Sequence, residues 1–261
     1  MSSRNTAEIP TAEIPEPGDA IALNELNSGA INSTIIDLAD LTTSPERYDF
    51  FTFRPNLKKL ILAGSEDAEH ISILWYTVAD GSVGLHSHHM TEAVFTIEGT
   101  QTDAKGTYPT GSLYFNPPGS GHAISDSSGF FILAYASPPD FANTDSLKAY
   151  TPVHIDTADS DLEHTYPFVE AQKAVNIYDL PLDPAGGICS TLIKSTSPES
   201  YEYTGNYLLV LRGRCNIDGA IYNENTLVVA TTVEPKSYKL SAIEGQPCLS
   251  LGLSLAISQG L

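Results

Sequence analysis

From Tyr48 to Ala136 the chain is cut by Gly, Pro, Asp and Ser into short β-branched and aromatic segments. That punctuation leaves no room for helices of ordinary length and points to an antiparallel sandwich or barrel, not to βαβ units. The strongest segment is Ile71-Ser72-Ile73-Leu74-Trp75-Tyr76-Thr77-Val78, with a turn expected at Ala79-Asp80-Gly81-Ser82. Other strands are expected over 50–54, 57–63, 83–89, 93–97, 105–108, 113–116, 122–125 and 130–136. Ile35 to Leu38 reads as a short edge strand. A polar, acidic stretch over 140–181 reads as a connector carrying a strand or a short helix. The β pattern then resumes at Gly187 and continues to Ile257.

The second β block echoes the first at an offset of 114. Phe95-Thr96-Ile97-Glu98-Gly99 aligns without a gap on Leu209-Val210-Leu211-Arg212-Gly213, Tyr108 on Tyr222, and Leu113-Tyr114-Phe115 on Leu227-Val228-Val229. The expected fold class is all-β with two tandem barrels. Four regions are expected: a tail and arm over 1–47, a first barrel over 48–140, a connector over 141–186 and a second barrel over 187–261. Within the tail, Thr6 to Pro15 writes Thr-Ala-Glu-Ile-Pro twice, a pattern suited to disorder or to lying over a partner subunit.

Potential ligand atoms concentrate in one stretch, 84–122. His86 and His88 are two apart, so an extended strand points both imidazoles to one face, the interior of a barrel. Glu92 follows four positions later. Pro117-Pro118-Gly119-Ser120-Gly121 forms a stiff turn that sets the entry of His122. Three imidazoles and a carboxylate suit a divalent transition metal and leave two positions of an octahedron open, a demand Fe(II), Mn(II), Ni(II) or Zn(II) can meet. His89 faces the other way and reads as a surface residue. His70, His154 and His164 have no partners at ligand spacing. Leu113 and Phe115 alternate with Ser112 and Tyr114, which gives one greasy face. Trp75, Tyr76, Phe95 and Tyr114 read as core or pocket wall. At offset 114 the ligand positions fall on Ser200, Glu202, Asn206 and Lys236, so one metal per chain is expected and the second barrel carries none.

Composition narrows the partners. The formal net charge is −19, which gives no electrostatic reason to bind nucleic acid or an anionic membrane. Cys189, Cys215 and Cys248 are too few and too widely spaced for a disulfide framework, and read as small core residues. The opening residues lack the marks of a signal peptide, and the expected compartment is the cytoplasm. The expected assembly is a homodimer acting on a small molecule.

The motif residues resemble the cupin superfamily. Its first motif matches His86, His88, Glu92 and Gly99, with Gly81 one residue nearer to His86 than the family pattern has it. Its second matches Gly111, Pro117, Gly119 and His122, with Asp126 where the family has Asn. The runs Glu98-Gly99, Gly106-Thr107-Tyr108-Pro109-Thr110-Gly111-Ser112 and Asn116-Pro117-Pro118-Gly119-Ser120-Gly121-His122 are similar to the ChrR-like group, which includes anti-sigma factor domains and related dioxygenases. The resemblance covers residues 48–140 well and 187–257 only as an echo. It implies His86, His88, Glu92 and His122 as metal ligands, with Fe(II) favoured. It also implies a non-haem dioxygenase acting on a diketone, hydroxy-ketone or phenolic compound, with Glu92 as ligand or base. Two alternatives remain: a non-oxidative metal enzyme (isomerase, cyclase or hydrolase), or a sensing module. Residues 1–47 hold no His and no Cys, so the zinc-binding region that holds a sigma factor is not expected here.

Overall fold

A computed structural model describes residues 33–255; the direct repeat over 6–15 lies outside them. The chain starts with β1 (Ser33–Asp37) and a short helix, α1 (Leu38–Thr43). The first half then runs β2 (Phe51–Arg54), β3 (Leu57–Gly64), β4 (His70–Ser87), β5 (Glu92–Asp103), β6 (Gly106–Pro109), β7 (Ser112–Asn116) and β8 (Gly121–Tyr135). β9 (Val153–Asp156), α2 (Leu162–Thr165), β10 (Val169–Gln172) and β11 (Val175–Asp179) follow. The second half holds β12 (Ile188–Ser195), β13 (Tyr201–Gly205), β14 (Tyr207–Arg212), β15 (Arg214–Ile217), β16 (Ala220–Asn223), β17 (Thr226–Ala230), β18 (Lys236–Ala242) and β19 (Cys248–Leu255). The fold is all-β and consistent with a jelly roll. No helix among the described residues is long and apolar enough to cross a membrane.

The two halves share one pairing scheme. In the first, the strands run β2-β3-β4-β8-β5-β7-β9; in the second, β10-β11-β12-β19-β14-β17-β1. The edge strands are exchanged. β1, from the chain's start, pairs antiparallel with β17, and β9, from the connector, pairs with β7. A short sequence echo accompanies the exchange: Ile36-Asp37-Leu38-Ala39-Asp40 recurs as Ile155-Asp156-Thr157-Ala158-Asp159. Both aspartates turn the chain out of the strand in the same way. Asp37 accepts from the amide of Ala39 at 2.9 Å, and Asp156 from that of Ala158 at 3.0 Å.

Asp80-Gly81, expected as a hairpin turn, is instead a bend inside the 18-residue β4. Its register against β8 breaks between Tyr76, Gly81, Val83 and His86, and such bulges bend a strand while pairing continues beyond them. A side chain at Gly81 would collide with the Tyr76 ring. The bend carries β4 from one face of the roll to the other. In the second half the same task is done by interruption. There a separate sheet of β13, β18, β15 and β16 stands where the far ends of β4, β8 and β5 pair with one another and with β6 in the first half.

Burial corrects two expectations. Ser112 to Phe115 are all buried, so β7 has no solvent face. Tyr114 packs inside the first half with Tyr76, Tyr108 and Phe131. Leu113 and Phe115 face the opposite way, into a core formed with Leu209, Leu227, Leu251 and Leu253 of the second half. The greasy face thus joins the halves and does not line the ligand cluster. Of the cysteines, Cys215 and Cys248 are buried as expected, but Cys189 is exposed.

Candidate metal centre

The four predicted donors meet in the first half. His86 is near the end of β4 and faces His122 across the β4–β8 ladder. Glu92 opens β5 and sits opposite both Asn116 and Tyr135. His88 lies beyond the end of β4, in the loop over 88–91. That loop is held by its backbone: His88 donates to the Ser120 carbonyl at 2.9 Å, Gly119 donates to the His88 carbonyl at 2.7 Å, and Thr91 donates to Gly186 at 2.8 Å. Gly119 takes φ +82°, the left-handed conformation that a glycine in this turn allows. One ligand atom from each of the four side chains lies within 4.8 Å of the others, and all four residues are buried.

Hydrogen bonds orient the donors. His86 Nδ1 is 2.9 Å from the Gly84 carbonyl, so it donates there and leaves Nε2 free. His122 Nδ1 is 2.9 Å from Asp103 Oδ2, which likewise turns its Nε2 inward. A carboxylate behind an imidazole in this manner fixes its tautomer and raises its basicity. Asn116 Nδ2 donates to Glu92 Oε2 at 2.7 Å. His88 Nε2 and His122 Nε2 stand 3.3 and 3.4 Å from that same oxygen. Those approaches lack hydrogen-bond geometry: both nitrogens of His88 and Nε2 of His122 are buried without a partner.

The protonation states follow from burial and contact. Desolvation pulls His88 down to about 4, so it is neutral at ordinary pH. Burial opposes charge on His122 as well, but its hydrogen bond to Asp103 and the negative charge of nearby Glu92 prevail and hold it up at about 9. Burial works against the Glu92 carboxylate, yet the surrounding imidazoles keep it well below the usual range. Orphaned buried nitrogens each cost about 1–3 kcal/mol. A divalent transition cation is the partner that three imidazoles and a carboxylate, so aimed, would satisfy.

The cluster opens onto a narrow pocket walled by Phe53, Leu74, Tyr76, Val83, Leu133 and Phe141. His89 points outward and meets Asp140 at 3.2 Å. His154 packs against Tyr108, and His164 is exposed beside Asp161. His70 is wholly buried against Tyr135 and stands outside the donor cluster. Asp103, Asn116 and Lys59 also belong to the site and were not singled out in the sequence. Asn116 stands within the Asn-Pro-Pro-Gly run and was legible there. Asp103 and Lys59 carry no spacing signal, because separate strands bring them in.

The second half holds no such cluster among the described residues. The ungapped alignment misplaces part of it, however. Lys236, the counterpart of His122, lies opposite Gly205 and not Ser200. The cause is a shortened turn: β13 passes to β14 through Asn206 alone, whereas β4 passes to β5 through the loop that carries His88. The interior is then filled by Tyr203, Tyr238, Leu208, Val210 and Cys215. Asn206 spends its side chain on the backbone of Val233 and Leu255. Lys236 pairs with Asp218 and Ser33, and Glu202 accepts from Ser237.

Residues 38–138 match the family described as the ChrR Cupin-like domain. This stretch of the first half is similar to a ChrR-like cupin domain. No curated protein matches the sequence. Among solved structures, a Nostoc punctiforme protein provisionally designated a dioxygenase is similar, with 10% identity and a TM-score of 0.56 over 87% of this chain and 84% of that one. A cupin 2 conserved barrel domain protein from Leptotrichia buccalis is similar at 13% identity and a TM-score of 0.52, over 85% and 95% of the two chains. At these identities the likeness is one of fold.

Proposed function

We propose that this cupin is a metal-dependent enzyme, a non-haem Fe(II) dioxygenase acting on a small organic substrate. The supporting observation is the buried cluster of His86, His88, Glu92 and His122, with unpartnered imidazole nitrogens on His88 and His122, beside a largely apolar pocket. The oxidative part follows from the resemblance to cupins that cleave carbon–carbon bonds with Fe(II) and O₂. Bound Fe(II) would supply redox chemistry toward O₂ and Lewis acidity toward substrate oxygens. The chain's own residues do the rest. His86, His88, His122 and Glu92 hold the metal, Asp103 and the Gly84 carbonyl hold two of the imidazoles in tautomer, and Asn116 steadies the Glu92 carboxylate. Glu92 also lines the pocket and is the candidate base. Phe53, Leu74 and Val83 give the pocket an apolar wall. The second half is read as a degenerate cupin barrel that supports the first, in a bicupin chain with one metal and a homodimeric assembly.

Elemental analysis of the purified protein, then O₂ uptake by the Fe(II)-loaded form across diketones and phenols, tests the proposal. Stoichiometric iron with substrate-dependent O₂ uptake is expected. Tightly held zinc or nickel without O₂ uptake would instead favour a non-oxidative metal enzyme.

Two further outcomes are expected here. Asp103→Asn should weaken metal affinity by about 10–100-fold, the usual effect of losing a carboxylate behind a ligating imidazole, as read by competition with a chelator. Metal uptake should also release a proton at pH 7. His122 titrates at about 9 without metal, so it is protonated at pH 7, and only the neutral ring ligates. Affinity should therefore rise with pH from 7 and level off above 9. Uptake without proton release, followed with a pH indicator in weak buffer, would contradict this.

A further inference from the structure

We propose that the cavity beside the cluster takes a small carboxylate-bearing substrate, and that Lys59 receives its carboxylate. The inference deepens the function proposed above and rests on it for the part played by the metal.

Lys59 lies on β3, where strand alternation turns it inward with Leu57. It stands opposite Leu74 on β4 and lines the same cavity as His86, Glu92 and His122. Only 3% of the residue is exposed. Its ammonium sits 3.9 Å from the centre of the Phe53 ring. It makes no ion pair or hydrogen bond among the described residues, and the carboxylate that acts on it, Glu66, is exposed. Other cations of the chain do have partners: Arg47 with Asp40, Lys194 with Glu163, Lys236 with Asp218.

A chain with 32 acidic and 13 basic side chains does not lack carboxylates to neutralise a buried lysine. Leaving one without a partner is costly unless a ligand provides the counter-charge. A second cation reinforces the pattern. The Arg54 guanidinium lies 4.0 Å above Phe141 and 5.2 Å above Phe53, two rings that wall the cavity. Lysine inside and arginine at the rim make a positive passage in a protein of net charge −19. A neutral diketone or phenol has no use for it, whereas a keto- or hydroxy-carboxylate would place its charge on Lys59 and its remaining oxygens toward the histidines. Burial lowers the Lys59 pKa, and an anion alongside would restore the charged form.

The test compares acetoacetate with its uncharged methyl ester, by calorimetry on the full chain, with and without metal. The wild type should prefer the acid. Lys59→Met should weaken acid binding at least tenfold, leave ester binding and metal stoichiometry unchanged, and raise Tm by removing an unpaired buried charge. Lys59→Arg should keep most of the preference. Equal acid binding by wild type and Lys59→Met, ester bound as tightly as acid, or no acid binding at millimolar concentration would each overturn the inference. A Lys59-dependent preference in protein that takes up no metal would uphold it and defeat the metal proposal. Metal uptake without the preference would do the reverse.

Discussion

Replacing His86 and His122 together with alanine should abolish stoichiometric metal binding. The two residues face each other on the β4–β8 ladder, and their loss leaves one imidazole and one carboxylate. Two such donors do not outcompete buffer and water for a transition cation. The ladder is a backbone structure, so the double variant should keep its far-UV circular dichroism. Residual metal at one equivalent per chain, measured by elemental analysis after desalting, would reveal a second site. The structure gives no place for one among the described residues, because tyrosines fill the second half where the first has its histidines.

Phe115→Ala should cost about 3–5 kcal/mol of stability, as truncation of a buried Phe does. Phe115 is 1% exposed and lies in the core that joins the two halves. Domains of this kind are stable by about 5–15 kcal/mol, so the loss should be conspicuous. Shared packing and the exchange of β1 and β9 between the halves should make them fold as one unit. Trp75, the only tryptophan, reports on the first half, while circular dichroism reports on both. Denaturation followed by the two probes should coincide, and Phe115→Ala should shift both to the same extent. Separate midpoints would mean that the halves are independent.

Much of the candidate metal centre was legible because its residues are near in sequence. His86, His88 and Glu92 lie within one strand, one loop and the start of the next strand, and the stiff turn before His122 announces the fourth donor. The repeat was legible for a similar reason: β6 and β16, and β7 and β17, have ranges that match at an offset of 114. What was illegible involved partners far apart in the chain. Asp103 reaches His122 from the end of β5, and Lys59 enters from β3. Nothing in local spacing marks such pairs. The ungapped alignment likewise could not show that the turn after β13 is cut short, since only the ladder to β18 reveals which residue faces Lys236.

Alternation and punctuation along the chain were thus enough to make it all-β and to aim three imidazoles and a carboxylate at one point. They act over a few residues, and so does the chemistry that sets strand facing and turn geometry. Which strands exchange between halves, which face of β7 meets which core, and which buried lysine shares the cavity with the histidines depended on contacts between distant segments. Such contacts are selected by the burial of whole surfaces, and no short window of sequence contains both sides of them.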